Sequence, residues 1–303
     1  MVVGQRKVWI DVTKGIGIIA VVAGHVLESH LMFLWHMPLF FLLAGYNYRY
    51  SNTLPYLLKL TKRLLLPYFA CLFVGRVFNN TLISFLDYNI KDALYGGARL
   101  KGCYAVFWFV TVLYMMLISL HLLSKFGIRW WMVCVMLAIG YIPMYYYVEL
   151  PWNLQVVPMA FAYGSMGFLL KKTIDLHLNN IKLWWAAIGV VVLSTLSLLP
   201  GLSLDMKYND FGVPVASFIL SLLCVIAVFE LAKWCETVNP IASVLSLFGR
   251  GSMVVMYSHM LINLLCVGFV ENKWIRLMIV LLLSIVLYVF GEKTKKIVIK
   301  LKT

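Results

Sequence analysis

The chain has 303 residues, 63% hydrophobic and 13% charged, with a mean hydropathy of +0.90. Soluble domains average about 45–50% apolar residues, so this composition excludes one and reads as a polytopic membrane protein. The formal net charge of +14 is dispersed between apolar segments and is not gathered with aromatics on one face, which argues against a nucleic-acid partner and makes the basic residues reporters of topology.

Apolar stretches set against charged punctuation predict ten helices, near 8–28, 32–48, 62–82, 103–123, 129–147, 154–170, 182–200, 211–233, 250–269 and 274–291. Between them there is no soluble-looking stretch long enough for a second domain, so residues 1–303 read as one all-α membrane bundle. The first segment holds Asp11 and Lys14 in its body and lacks a small-residue cleavage site, unlike a removable signal peptide. Residues 59–63 end a short basic loop, and residues 84–102 form the longest loop on the other side, a partly ordered interfacial element. Residues 240–248 read either as a half-helix or as an extension of the ninth helix.

Ten spans put both termini on one side of the membrane. That side receives Arg6, Lys7, Arg49, Lys59, Lys62, Arg63, Lys125, Arg250 and the tail lysines among others, a roughly threefold excess of Lys and Arg over the opposite loops. Both termini are therefore expected in the cytoplasm. The six cysteines show no CxxC pair and no metal-ligand spacing, so neither a structural disulfide nor a metal is expected.

Chemistry is expected first on the opening helix. Residues eleven apart on an α-helix lie within roughly 20° of one another, so Asp11, Lys14 and His25 share one stripe. A lone histidine in an apolar helix is by default a packing residue. Three ionisable groups on one stripe reverse that default, because burial in hydrocarbon gives no reason to keep them. His25 lies about 16 Å along the helix from Lys14 and suits either a general base acting on a hydroxyl or a nucleophile that carries the transferred group transiently. His36 opens the second helix ahead of Pro38, and His259 is the other deep histidine. Lys59, Lys62 and Arg63 suit lipid headgroups or a phosphorylated substrate, while Trp108, in Phe107-Trp108-Phe109, reads as packing or interfacial belt rather than a sugar platform. No Walker loop, GxGxxG, HExxH or GxSxG is present.

The segments Trp9-Ile-Asp11-Val-Thr-Lys14-Gly15, Gly24-His25 and His36-Met-Pro38-Leu-Phe-Phe resemble the N-terminal signature of the acyltransferase-3 family of integral membrane O-acyltransferases, which pairs a basic residue with a histidine eleven positions later. Lys59, Lys62 and Arg63 before Leu64-Leu-Leu-Pro67-Tyr68, the aromatic run at Trp108, and Gly251, Ser252, Tyr257 and His259 match further motifs of that family. The resemblance implies ten spans in a bacterial cytoplasmic membrane and transfer of an acyl group, commonly acetyl, from cytoplasmic acetyl-CoA to a hydroxyl of a surface polysaccharide, glycolipid or lipid-linked sugar. It implies catalytic roles for His25, Lys14 and Asp11, donor binding by Lys59, Lys62 and Arg63, and acceptor contacts from His36, Trp108 and His259. Acyl-CoA, a glycan acceptor and membrane lipids would be its partners, with self-association left open. The rival classes are a secondary transporter or flippase of a glycolipid or small amphiphile, and a scaffold of a polysaccharide assembly complex.

Overall fold

A computed structural model describes residues 7–81, 90–178, 182–196, 198–202 and 204–300. Twelve α-helices are seen there, in chain order α1 (Val8–Val26), α2 (His36–Tyr46), α3 (Thr53–Thr81), α4 (Ile90–Tyr95), α5 (Trp108–Ser124), α6 (Trp130–Tyr146), α7 (Val157–Leu169), α8 (Lys171–His177), α9 (Leu183–Leu196), α10 (Ala216–Thr237), α11 (Asn239–Val267) and α12 (Lys273–Lys300). The described residues contain no β-strand. Among the described residues five stretches are long and apolar enough to cross a membrane: Val8–Val26, Gly102–Ser124, Ala216–Thr237, Asn239–Val267 and Lys273–Ile297. Shorter apolar helices cover His30–Tyr46, Trp130–Tyr146 and Leu183–Leu196.

The structure moves some of the expected boundaries and settles one that was open. Lys59, Lys62 and Arg63 do not end a loop but sit in the body of α3, which begins at Thr53; long basic side chains can keep their charge in water while their stems continue a helix. Residues 240–248 are continuous with the ninth expected helix, and Pro240 in its first turn removes no helical hydrogen bond. Lys293, Lys295, Lys296 and Lys300 lie in α12, which runs past the expected end at 291. The expected interfacial element contains α4 and a 3-10 turn at Gly97–Arg99, whereas residues 84–89, like Arg6 and Lys302, lie outside the described residues.

Two glycine-mediated crossings organise the bundle. α1 lies against α2, α10, α11 and α12, most extensively α11. A Cβ on Gly15 would collide with the Leu245 carbonyl of α11, and one on Gly249 with the Asp11 carbonyl of α1, so the two backbones touch. Without a hydrophobic drive between helices in lipid, this close approach supplies the van der Waals contact that holds them. α2 meets α7 in the same way, since Gly45 abuts the Gly164 carbonyl and Gly167 the Leu42 carbonyl. Polar pins fix the ends. Trp9 donates its backbone N–H to Glu236 Oε1 at 3.2 Å, and its ring packs edge-on against Tyr46 and Phe229. Lys7 binds both the Tyr46 hydroxyl and Asp175 at 2.7 Å. At the opposite end Lys273 pairs with Glu28 at 2.7 Å.

Gly249→Val is expected to destabilise the detergent-solubilised protein by on the order of 3 kcal/mol, since overpacking here must move backbone. Gly291→Ala, in α12 with open space where its Cβ would lie, serves as control. Equal melting temperatures for the two variants would contradict the backbone contact.

Candidate functional site

One cavity of about 730 Å³ opens between α1, α2, α3, α5 and α11. Its wall divides into two chemical zones. Around the end where α1 begins stand five cations, Lys14, Arg49, Lys59, Arg63 and Arg250, and among the lining residues Asp11 is the one carboxylate. Beyond them the wall is apolar, built from side chains such as Ile18, Val21, Phe40, Phe109, Met253 and Met256. Such a container suits an elongated ligand with an anionic head and a slender body.

Helix phase explains which basic residues take part. Lys59 and Arg63 are four apart on α3 and face the cavity together, while Lys62 is exposed and outside the lining. Arg49, in the turn after α2, and Arg250, on α11 next to the α1 contact, complete the ring. Asp11 is buried and Lys14 half-buried.

The histidines gather one turn past the inner end. Val21 and Met256 line the cavity, and His25 and His259 follow on the same two helices by about 6 and 4.5 Å of helix rise. The two imidazoles face each other across the α1–α11 contact with ring centroids 5.6 Å apart. His259 is fully buried; its Nδ1 lies 2.9 Å from the Val255 carbonyl. A carbonyl only accepts, so Nδ1 carries the proton and the neutral ring presents Nε2 as a bare acceptor. That Nε2 is buried without a hydrogen-bond partner. His36 is likewise buried, with Nδ1 donating to the Met32 carbonyl. Phe33 packs against both His25 and His36, and Gly24 leaves room for its ring. Trp108 is buried at the start of α5 outside the cavity lining, and its neighbours do the contacting: Phe109 lines the cavity and Phe107 packs edge-on against Tyr257. The Tyr257 hydroxyl in turn donates to the Leu64 carbonyl at 3.3 Å, close to Pro67, where the α3 ladder is interrupted.

Sequence reasoning did not single out Lys207. It sits in the 3-10 turn Met206–Tyr208, is 9% exposed and donates through Nζ to the Leu100 carbonyl at 3.1 Å. Lys207 and His36 both lie within electrostatic reach of His25. Burial draws the Lys207 ammonium down to about 8, against the pull of Asp205 and with the help of Lys101. A lysine in a polar loop carries no sequence signal of such burial. Among the described residues no group of three or more His, Cys, Asp and Glu is placed to hold a metal ion.

The family model described as an acyltransferase domain, acyltransferase-3, matches residues 7–291, nearly the whole chain. The chain belongs to this family. No curated protein and no solved structure matches it. It is accordingly a membrane acyltransferase, and the two-zone cavity and histidine pair form its candidate site.

Because Lys207 titrates at about 8 in the fold and at 10.5 when exposed, the unfolded chain holds the extra proton between those values. Stability linked to Lys207 is therefore present above 10.5 and lost as pH falls through about 8. Wild type minus Lys207→Met, followed by denaturation in detergent, should show stability rising with pH across that window by up to about 3 kcal/mol. A flat difference would mean that the ammonium is solvated.

Proposed function

We propose that this acyltransferase moves an acyl group, acetyl being the simplest, from cytoplasmic acyl-CoA to a hydroxyl of a cell-surface polysaccharide, glycolipid or lipid-linked sugar in a bacterial cytoplasmic membrane. The observation that carries this reading is the single cavity that runs from five cations through an apolar throat to within a turn of His25 and His259. The pyrophosphate and 3′-phosphate of CoA match the cationic ring, where Arg can bind phosphate in bidentate fashion, and the pantetheine arm matches the throat. The contacts at the two ends support an alternation of helix directions with both termini on one side, and the excess of Lys and Arg there supports a cytoplasmic side. Lys7 of the α1 end meets Tyr46 and Asp175, Glu28 meets Lys273, and Trp9 meets the end of α10, as an alternation of helix directions requires.

The chemistry follows from the neutral imidazoles. The acceptor O–H gives its proton to His25, and its oxygen attacks the thioester carbonyl. The C–S bond then breaks, and the departing CoA thiolate takes the proton to leave as the free thiol, so the products are an ester and CoA. His259, with Nε2 open, positions His25 or relays its proton. Lys14 orients the donor and offsets negative charge, with Asp11 as its partner in a medium of low dielectric.

His25→Ala should lower acyl transfer by 10² to 10⁴, the usual range for a lost general base, with membrane insertion intact; activity within about tenfold of wild type would remove that role. Calorimetry of CoA binding separates the basic residues. Arg63→Ala and Arg250→Ala should each weaken affinity by about tenfold, roughly one charge-assisted hydrogen bond, whereas Lys62→Ala should leave it within about twofold. If Lys62→Ala proved as damaging as the arginine variants, the cavity would not be the donor site.

A further inference from the structure

We infer a second site in the loops at the histidine end of the bundle, a subsite for a pyranose ring of the acceptor; the inference rests on the acyl-transfer reading above. A separate cavity of about 370 Å³ lies there, lined by Tyr147, Glu149, Gln155, Lys207, Asn209 and Asp210 among others. Three loops are knitted around it. Arg99 pairs with Glu149 at 3.3 Å, the Tyr95 hydroxyl donates to the Glu149 carbonyl, and Asn153 bridges the Ala98 N–H and the Lys207 carbonyl.

The lining is built with open hydrogen-bonding capacity. Gln155 is 3% exposed and its Oε1 accepts from the Leu150 N–H at 3.0 Å, but its Nε2 is buried without a partner. Asn209 spends Nδ2 on the Val148 carbonyl at 3.1 Å, and its Oδ1 is left unmatched. Native proteins seldom bury such groups unsatisfied. A sugar hydroxyl both accepts and donates, so a diol on one ring satisfies the free donor and the free acceptor together. The rims supply the apolar counterpart. Tyr147 is 91% and Tyr208 64% exposed, and an aromatic face presented to solvent beside a polar pocket suits the C–H face of a pyranose. One lysine faces two carboxylates here, which favours a neutral or N-acetylated sugar over a phosphate.

Backbone strain marks the same loops. Tyr147, Trp152, Asn153 and Asn209 all hold positive φ, between 52° and 62°, and conformations of this kind persist only where the surroundings enforce them. Lys207 connects the two sites: its side chain lines this cavity, and its charge reaches His25. In this proposal a glycan seated on the loops directs a neighbouring hydroxyl toward the histidines.

The test offers radiolabelled acetyl-CoA and a pool of neutral and N-acetylated tetrasaccharides, free and as dodecyl glycosides, to the full chain in nanodiscs. Transfer to the glycosides alone supports the subsite with a lipid-linked source, and transfer to both pools supports it with a free glycan. Transfer to neither overturns the subsite together with the acceptor class proposed above. Two variants judge the subsite by itself. Tyr147→Asn removes the ring and suits the left-handed backbone; Gln155→Glu keeps the oxygen that Leu150 needs and deletes the free donor. Each should raise the acceptor KM about tenfold while the donor KM stays in place. Transfer that proceeds in both variants with acceptor KM within twofold of wild type overturns the subsite and leaves the acyl-transfer reading standing.

Discussion

The backbone contact between α1 and α11 is the constraint on which the site depends. Gly15 and Gly249 have no side chain to hold the helices apart, and the consequence is felt two to three turns further on, where His25 and His259 are brought to a ring separation of 5.6 Å. A larger residue at either glycine would push apart two imidazoles that belong to segments more than 200 residues apart in sequence. The second glycine crossing, α2 on α7, does the same for His36, by fixing the helix that begins with it. Small residues at helix crossings are an economical device in lipid, where close packing replaces the hydrophobic effect as the source of association.

Electrostatics then divides the molecule along its long axis. Cations that face the cavity stand where α1 begins, with Asp11 as their one lining counter-charge. The middle is apolar and lowers the local dielectric, so any charge that develops near the histidines is felt strongly. The far end is polar but balanced, a loop cap in which Arg99 meets Glu149 and Lys207 faces Asp205 and Asp210. On the proposed reading, an anionic donor and a neutral acceptor would be drawn to opposite ends of the histidine pair. Lys207 is 9% exposed, so the boundary between cap and core is nearly closed to water.

What was legible in the sequence was local in origin. The eleven-residue spacing of Lys14 and His25 follows from helix geometry alone, and both do lie on the α1 stripe that faces the cavity and its inner end. The split between Arg63 and Lys62 was not read, although the four-residue step from Lys59 to Arg63 carried the signal once the segment is recognised as helical. Charges there resemble loop punctuation because an apolar window does not register a basic helix that emerges into the interface. Arg49, Lys207, Gln155 and Asn209 join their sites through tertiary packing, and nothing in a loop's composition states which of its polar residues will be buried. Trp108 shows the converse, a residue singled out by its motif whose neighbours Phe107 and Phe109 make the contacts instead.

The central claim is that the donor enters among the cations and presents its acyl carbon to the His25–His259 pair. An electron cryomicroscopy map of the full chain in nanodiscs with a thioether analogue of acetyl-CoA tests it most directly. The account predicts the phosphates against Arg49, Arg63 and Arg250, the pantetheine between Phe40 and Met256, and the atom that replaces the acyl carbon beside the His25–His259 pair, about 3 Å from where a hydroxyl hydrogen-bonded to His25 would sit. Phosphates bound at the loop cap, or an acyl group directed away from both imidazoles, would contradict it.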